Sequence, residues 1–344
     1  MKTIVVLLIV QSMVLSQPLP GRGLENGAPH GYVCGRSPMP ILIDGKLTDP
    51  AWHDAPWTEY FGDIEGSLKP EPRLHTRVKM LWDDSSLYIA ADIEEPHVWA
   101  TLTKRDTVIF YDNDFEVFID PNGDNHEYFE FEMNALNTGW DLFLNMPYRD
   151  GGKPNDAWNI AGLRTAVHVD GTLNNPGDTD RGWSVEMAIP WNALQEYAHM
   201  PCPPHEGDQW RINFSRVEWD VHISDGSYTK VKGRPENNWV WSPQWIIDMH
   251  WPELWGYLQF TNRNAAECRF QPDTTLPVRT ALMKIYYAQR DFFKKFKRWG
   301  KTLEEIGMEP MEKTSLPVAL KVTQNGYQAE QNGMTIREDS RIER

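Results

Sequence analysis

Cysteine is scarce in this chain: Cys34, Cys202 and Cys268 are the only three among 344 residues. Their spacing fits no tetrahedral zinc motif. In an oxidising compartment one pair could form a disulfide, with the choice of pair open and one thiol left over. Basic charge is also in deficit. Against 49 acidic residues stand 34 Lys and Arg, a formal net charge of −15. A phosphate backbone would be repelled, so nucleic acid is not an expected partner. Past residue 15 no segment is long and apolar enough to span a bilayer, which needs about 20 apolar residues. Gly-x-Ser-x-Gly, His-Glu-x-x-His and phosphate-loop motifs are all missing. These absences weigh against, without abolishing, an enzyme.

Aromatic residues are abundant: 16 Trp, 12 Tyr and 13 Phe. Buried, they build cores; exposed, they mark a surface that meets something. The N-terminus has Lys2, then an apolar stretch from Thr3 to Leu15, then Val14 and Ser16 at the spacing of a small-residue cleavage site. That pattern predicts a secretory signal peptide over 1–16, and so a secreted, extracellular protein. Residues 17–40 are rich in Gly and Pro and read as an N-terminal arm.

From Ile41 the chain reads as short strands separated by turns. Ile41–Ile43 is a candidate strand, and Asp49-Pro50-Ala51-Trp52 starts a helical turn with Asp49 at its N-cap. Arg77–Trp82 and Leu87–Ile93 alternate across an Asp-Asp-Ser-Ser turn. Phe115–Ile119 and Tyr128–Met133 form a second hairpin across the loop 120–126. Further strands are expected at Trp140–Asn145, Leu163–Val169, Trp183–Ile189, Gln209–Val217, Trp239–Trp241 and Trp255–Phe260. The fold class is therefore all-β, an antiparallel sandwich over residues 41–262. Residues 277–306 read as a C-terminal helical extension, with Leu282, Ile285, Tyr286, Phe292, Phe293 and Phe296 at helical spacing and a basic end. Residues 309–344 are polar with scattered apolars and read as a disordered tail.

Five segments then fall into a pattern: Ile43-Asp-Gly-Lys-Leu-Thr-Asp-Pro-Ala-Trp52; Val78–Ile89; Asp112-Asn-Asp-Phe-Glu-Val-Phe-Ile-Asp-Pro121; Trp183-Ser-Val-Glu-Met-Ala-Ile-Pro-Trp191; and Pro252-Glu-Leu-Trp-Gly-Tyr-Leu-Gln-Phe260. In order and spacing they resemble carbohydrate-binding module family 9, known as an appendage of xylanases. The resemblance covers roughly Ile41 to Phe260. It implies a jelly-roll or DOMON-like β-sandwich that holds the reducing end of glucose, cellobiose or xylo-oligosaccharides between two aromatic rings. Structural Ca²⁺ occurs in some members. It also implies a link to carbohydrate catabolism, although no hydrolase domain is seen in this sequence.

The chemistry suits the ligand. A pyranose offers C–H faces that stack on rings and a rim of hydroxyls that needs polar side chains. By the resemblance, one aromatic wall falls on Phe110, with Tyr111 beside it, where the family has Trp. Glu116 matches the family's hydroxyl-binding Glu. Glu130 falls near the family's Arg; an acid there accepts hydroxyl hydrogen bonds but lacks the cationic fork. The second wall aligns on Met249, flanked by Trp245, His250 and Trp251, and Trp245 or Trp251 is expected to supply the ring. Trp140 is a further candidate. The bland alternatives are a solvent-facing Glu116 and tryptophans that merely close the core.

Asp120, Asn122 and Asp124 place oxygens at alternate positions, the front half of a calcium loop. The Gly at the sixth position and the Glu at the twelfth are missing, so a hairpin turn is the alternative. Asn213-Phe-Ser215 is the one glycosylation sequon past the leader, inside an expected strand. Glu130 and Glu132 share a strand face about 7 Å apart, near glycosidase spacing, which leaves O-glycosyl hydrolysis as one alternative function. Met146, Met200, His199 and His250 have no haem-ligand spacing. An extracellular structural or interaction protein, with a protein partner docked through the C-terminal helix, is another alternative. The leading expectation is a secreted, non-catalytic carbohydrate-binding protein.

Overall fold

A computed structural model describes residues 27–308 and 317–344. The expected signal peptide, most of the arm and the start of the tail lie outside the described residues.

Each expected strand from Arg77 onward forms, within a residue or two of its expected limits. Asn145, Leu163, Trp241 and Trp255 each fall one residue outside. The strands join in one thirteen-stranded hydrogen-bonded sheet that curls back on itself. One half runs Gly139–Leu144, Tyr128–Asn134, Asp114–Asp120, Gln209–Glu218, Gly256–Thr261. The other runs Thr76–Trp82, Ser86–Glu94, Gly182–Pro190, Arg164–Asp170. Between the halves lies the main core, which takes Phe115, Val117 and Ile119 from one side and Val78, Met80, Ile89 and Val185 from the other. These residues sit at alternate positions because successive strand side chains point to opposite faces. The result is the sandwich-like, mostly-β fold that the sequence predicts, with a C-terminal helix.

Three expectations need correction. The arm does not end at Pro40: Gly31–Arg36 is a strand that pairs in parallel with both Gly256–Thr261 and Thr76–Trp82, so it joins the two halves. Its core-facing Tyr32 and Cys34 supply too short an alternation to stand out among glycines and prolines. Ile41–Ile43 is not a strand. The tail is not disordered over residues 317–344. Ala319–Val322, Tyr327–Gln331, Met334–Arg337 and Ile342–Glu343 form an antiparallel meander. Its Tyr327, Ala329, Met334, Ile336 and Ile342 pack against the helix Leu276–Phe296. The helix therefore spends its Leu282, Ile285, Tyr286 and Phe292 face inside the chain. A short helix, Trp191–Ala198, and a hairpin, Val221–Ser224 with Ser227–Lys230, escaped the sequence reading.

None of the three cysteines is paired, and Cys34 is fully buried in the joining strand. Asn213 is also fully buried, its amide donating to Ser242 O at 2.9 Å, so the sequon is sealed in the sheet.

The segment from Ile41 to Trp52 covers the outer face of one half through Ile41, Ala51 and Trp52, which pack on Leu81, Tyr88 and Ala90. One buried side chain fastens it. Glu186 accepts from Asp44 N and Gly45 N, both at 2.9 Å, and from Trp52 Nε1 at 2.8 Å. Gly45 is required here: its φ is +83°, and a Cβ would sit 2.6 Å from the backbone carbonyl carbon of Val167. Glu186→Ala leaves three donors without an acceptor, each worth about 1–3 kcal/mol. A destabilisation of about 3 kcal/mol or more is expected in urea unfolding; a loss below about 0.5 kcal/mol would contradict this role.

Candidate functional site

On the acidic strand Asp114–Asp120, the residues between the core-facing ones point away from the core. Asp114, Glu116 and Phe118 share that outer face with Tyr128, Glu130 and Glu132 of the next strand, and with Trp140 and Leu142 of the one after. The register sets Glu116 opposite Glu132, and Glu132 opposite Trp140. Loops close over this face and leave a cavity of about 370 Å³. Phe110, Glu116, Glu130, Glu132, Trp140, Tyr148, Asn238 and His250 line it.

The walls are fixed by backbone contacts. Phe110 N donates to Glu132 Oε2 at 3.1 Å, and Phe110 O accepts from Trp219 Nε1 at 2.8 Å. The aromatic wall is thus tied to the acidic floor. Just before the strand, Asp112 accepts from Thr101 N, Leu102 N and Asn134 Nδ2. Asn113 bridges Glu95 and Glu218, which both pair with the buried Arg216. On the opposite wall Tyr148 is exposed, and its ring meets that of His250 edge-on at 4.3 Å. His250 Nδ1 lies 3.0 Å from Tyr128 Oη.

The floor is electrostatically unusual. Burial, with mutual repulsion added, holds the carboxyls of Asp114, Glu130 and Glu132 well above the ordinary carboxylate range. Burial raises Glu116 to about 7. Burial also lowers His250 to about 4, so its ring is neutral at pH 7. Such carboxyls can donate as well as accept, which suits a partner whose groups do both.

Of the residues expected from sequence, the cavity gathers Phe110, Glu116, Glu130 and Trp140. Tyr111 does not join them: it is exposed, with its ring 5.1 Å from Phe110. Neither expected tryptophan supplies the second wall. Trp251 is buried, stacked 5.3 Å from Tyr287 of the long helix, with the Arg149 guanidinium 4.7 Å from its ring. Its indole donates to Asp248, which fixes it towards the helix seam. Trp245 adopts a left-handed backbone, φ +64°, and lays its ring on Gly66. Met249 and His250, between them in sequence, are the ones that reach the cavity. Tyr148 and Asn238 were missed in the sequence: Tyr148 opens a three-residue 3-10 turn and Asn238 lies in the four-residue strand Asn237–Val240, both too short for periodicity to betray them.

The candidate calcium loop is a turn. Asp120 accepts from Gly123 N at 2.8 Å and Asn125 N at 2.9 Å. Asp124 accepts from His126 N at 2.8 Å and from Arg341 of the meander at 3.0 Å. Asn122 Oδ1 accepts from Asp124 N. These oxygens accept from the turn's own amides and from the docked C-terminus.

A β-sandwich with an acidic floor between aromatic walls defines a class of small-ligand-binding module. Comparisons with known proteins specify it further. Residues 43–205 match the family described as carbohydrate family 9 binding domain-like. The resemblance to carbohydrate-binding module family 9 is thereby borne out over that stretch, and Pro252–Phe260 lies beyond it. Exoglucanase XynX of Acetivibrio thermocellus is 28% identical over 155 residues, 44% of this chain and 12% of the relative. Endo-1,4-beta-xylanase A of Thermotoga maritima is 26% identical over 159 residues, 45% of this chain and 12% of the relative. The chain thus spans only a small part of these enzymes. A solved structure from Bacteroides uniformis, described as a candidate carbohydrate-binding protein, superposes with a TM-score of 0.50 at 15% identity. It covers 68% of this chain and 100% of its own. That likeness concerns the fold.

The tryptophan placements separate by stability. Trp251→Ala empties a buried seam and is expected to cost about 3 kcal/mol or more. Trp140→Ala, on a half-open cleft, is expected to cost about 1 kcal/mol or less. Equal losses in urea unfolding would contradict the assignment.

Proposed function

We propose that this is a secreted, non-catalytic carbohydrate-binding protein whose cleft takes the end of a gluco- or xylo-oligosaccharide. The carrying observation is the gathering of Phe110, Trp140 and Tyr148 with the buried carboxyls of Glu116, Glu130 and Glu132 around one cavity. Its volume of about 370 Å³ lies low in the range of small-ligand sites, about 300–1,000 Å³. An aromatic ring takes a pyranose face, and Glu116 and Glu130 exchange hydrogen bonds with the hydroxyl rim. Secretion is supported by the composition of residues 1–16.

Binding is favoured over hydrolysis by the geometry of the acids. A glycosidase needs two carboxyls flanking the scissile bond. Here the four buried acids, Asp114, Glu116, Glu130 and Glu132, all rise from one face of one sheet; of the two other carboxyls at the cavity, Asp248 is held by His250 N and Trp251 Nε1, which leaves Glu236 as the one acid free to face them.

Titration calorimetry of the protein with cellobiose and xylotriose tests this reading. The borohydride-reduced alditols of the two sugars serve as end controls. Saturable heat is expected with at least one sugar, lost on reduction. Phe110→Ala and Trp140→Ala should each weaken it by about tenfold, the loss of one stacking face. No heat with any of these sugars would reject the reading, and release of reducing ends would reject its non-catalytic part.

A further inference from the structure

The floor of the cleft holds more carboxyls than sugar recognition needs. Asp114, Glu116 and Glu132 can each offer one carboxylate oxygen such that all three lie within 4.8 Å of one another. Two oxygens on one Ca²⁺, each at about 2.4 Å, are at most about 4.8 Å apart, so one ion can reach all three. All three side chains are buried.

A second observation points to something missing from the same place. Glu130 is only 4% exposed, lines the same cavity, and its Oε2 has no hydrogen-bond partner. Its closest positive candidate is His250 Nε2, 3.9 Å away, on a ring held neutral at pH 7. Asp114 Oδ2 is likewise buried and without a partner. Among the described residues no Lys or Arg forms an ion pair with any of the four acids. Lys230, within electrostatic reach of Asp114, keeps its ammonium 3.5 Å from the Trp219 ring instead. Buried carboxyls with no counter-charge stay protonated, and they ionise only beside a paired cation or a metal.

We infer that the cleft floor is a binding site for one hard divalent cation of the calcium class. Asp114, Glu116 and Glu132 are the ligands, with Glu130 beside them. The donor set is all oxygen, which selects Ca²⁺ or Mn²⁺ over the softer metals. The coordination positions that face the cavity remain for water or for another oxygen ligand entering the cleft. This site is distinct from the Asp120–Asp124 turn, which shares none of its residues, and it does not rest on the sugar reading.

The test uses the full chain, stripped with EDTA and returned to chelator-free buffer at pH 7.5, titrated with CaCl₂. One saturable site is expected, with a melting temperature that rises with calcium. Glu132→Gln and Asp114→Asn should each weaken calcium at least about 100-fold. Both should melt higher than the parent in EDTA, because the cost of burying an acid that must be kept protonated is gone; a purely structural role would lower that temperature. Asp124→Asn should bind calcium as the parent does. If a variant fails to fold, Tb³⁺ added to the parent decides: emission sensitised by tryptophan and quenched by added calcium is expected. An absence of saturable calcium heat and of Tb³⁺ emission overturns the inference. So does full affinity in both Glu132→Gln and Asp114→Asn. Sugar titrations run in EDTA judge the sugar reading separately, so the failure of one is not mistaken for failure of the other.

Discussion

The register of the strand Asp114–Asp120 against its two neighbours is the constraint on which the site depends. With period two, Phe115, Val117 and Ile119 enter the core only if Asp114 and Glu116 face the cleft. A slip of one residue would drive Asp114 and Glu116 into the aromatic core and turn Phe115, Val117 and Ile119 out of it. The strand is pinned at both ends by buried acids. Asp112 accepts two loop amides and the amide of Asn134 before it, and Asp120 closes the turn after it. The Asn113 network with Glu95, Glu218 and Arg216 holds the same end against the far half of the sheet. That network also sets where Phe110 stands.

Holding four carboxyls out of water opposes folding, and the rest of the molecule offsets it. The aromatic core between the two halves is large, with Trp82, Trp191, Trp210 and Phe260 meeting edge-on. The helix and meander add a second apolar cluster, docked through Arg341 to Asp124 and through Asn125 to Ser340. A stable frame of this kind tolerates a floor of buried acids, which is the usual relation between a binding site and its scaffold.

Much of this was legible in the sequence because it rests on period-two alternation. The hairpin of Phe115–Ile119 with Tyr128–Met133 could be read directly, and with it the shared face of Glu116, Glu130 and Glu132. Glu116 and Phe110 followed from resemblance to a family pattern. The parts that escaped depend on long-range packing. Gly31–Arg36 becomes a strand only because two distant strands receive it in parallel. The meander looks polar because its buried residues are few and covered by one helix. The second wall was misjudged because Trp245 and Trp251 dominate their loop by size. A left-handed turn at Trp245 and the Asp248 hydrogen bond to Trp251 send both rings elsewhere. Nothing local in the sequence encodes either.

The central claim is that ligand enters between Phe110 and Trp140 above the acidic strand. Trp140 Nε1 has no hydrogen-bond partner, whereas Trp251 Nε1 is bound to Asp248. The most direct measurement is the assigned indole region of an amide correlation spectrum during titration with cellobiose. A shift of the Trp140 indole, with Trp245 and Trp251 unmoved, is the predicted result. Shifts at Trp245 or Trp251 with Trp140 silent would place the ligand elsewhere and contradict the account.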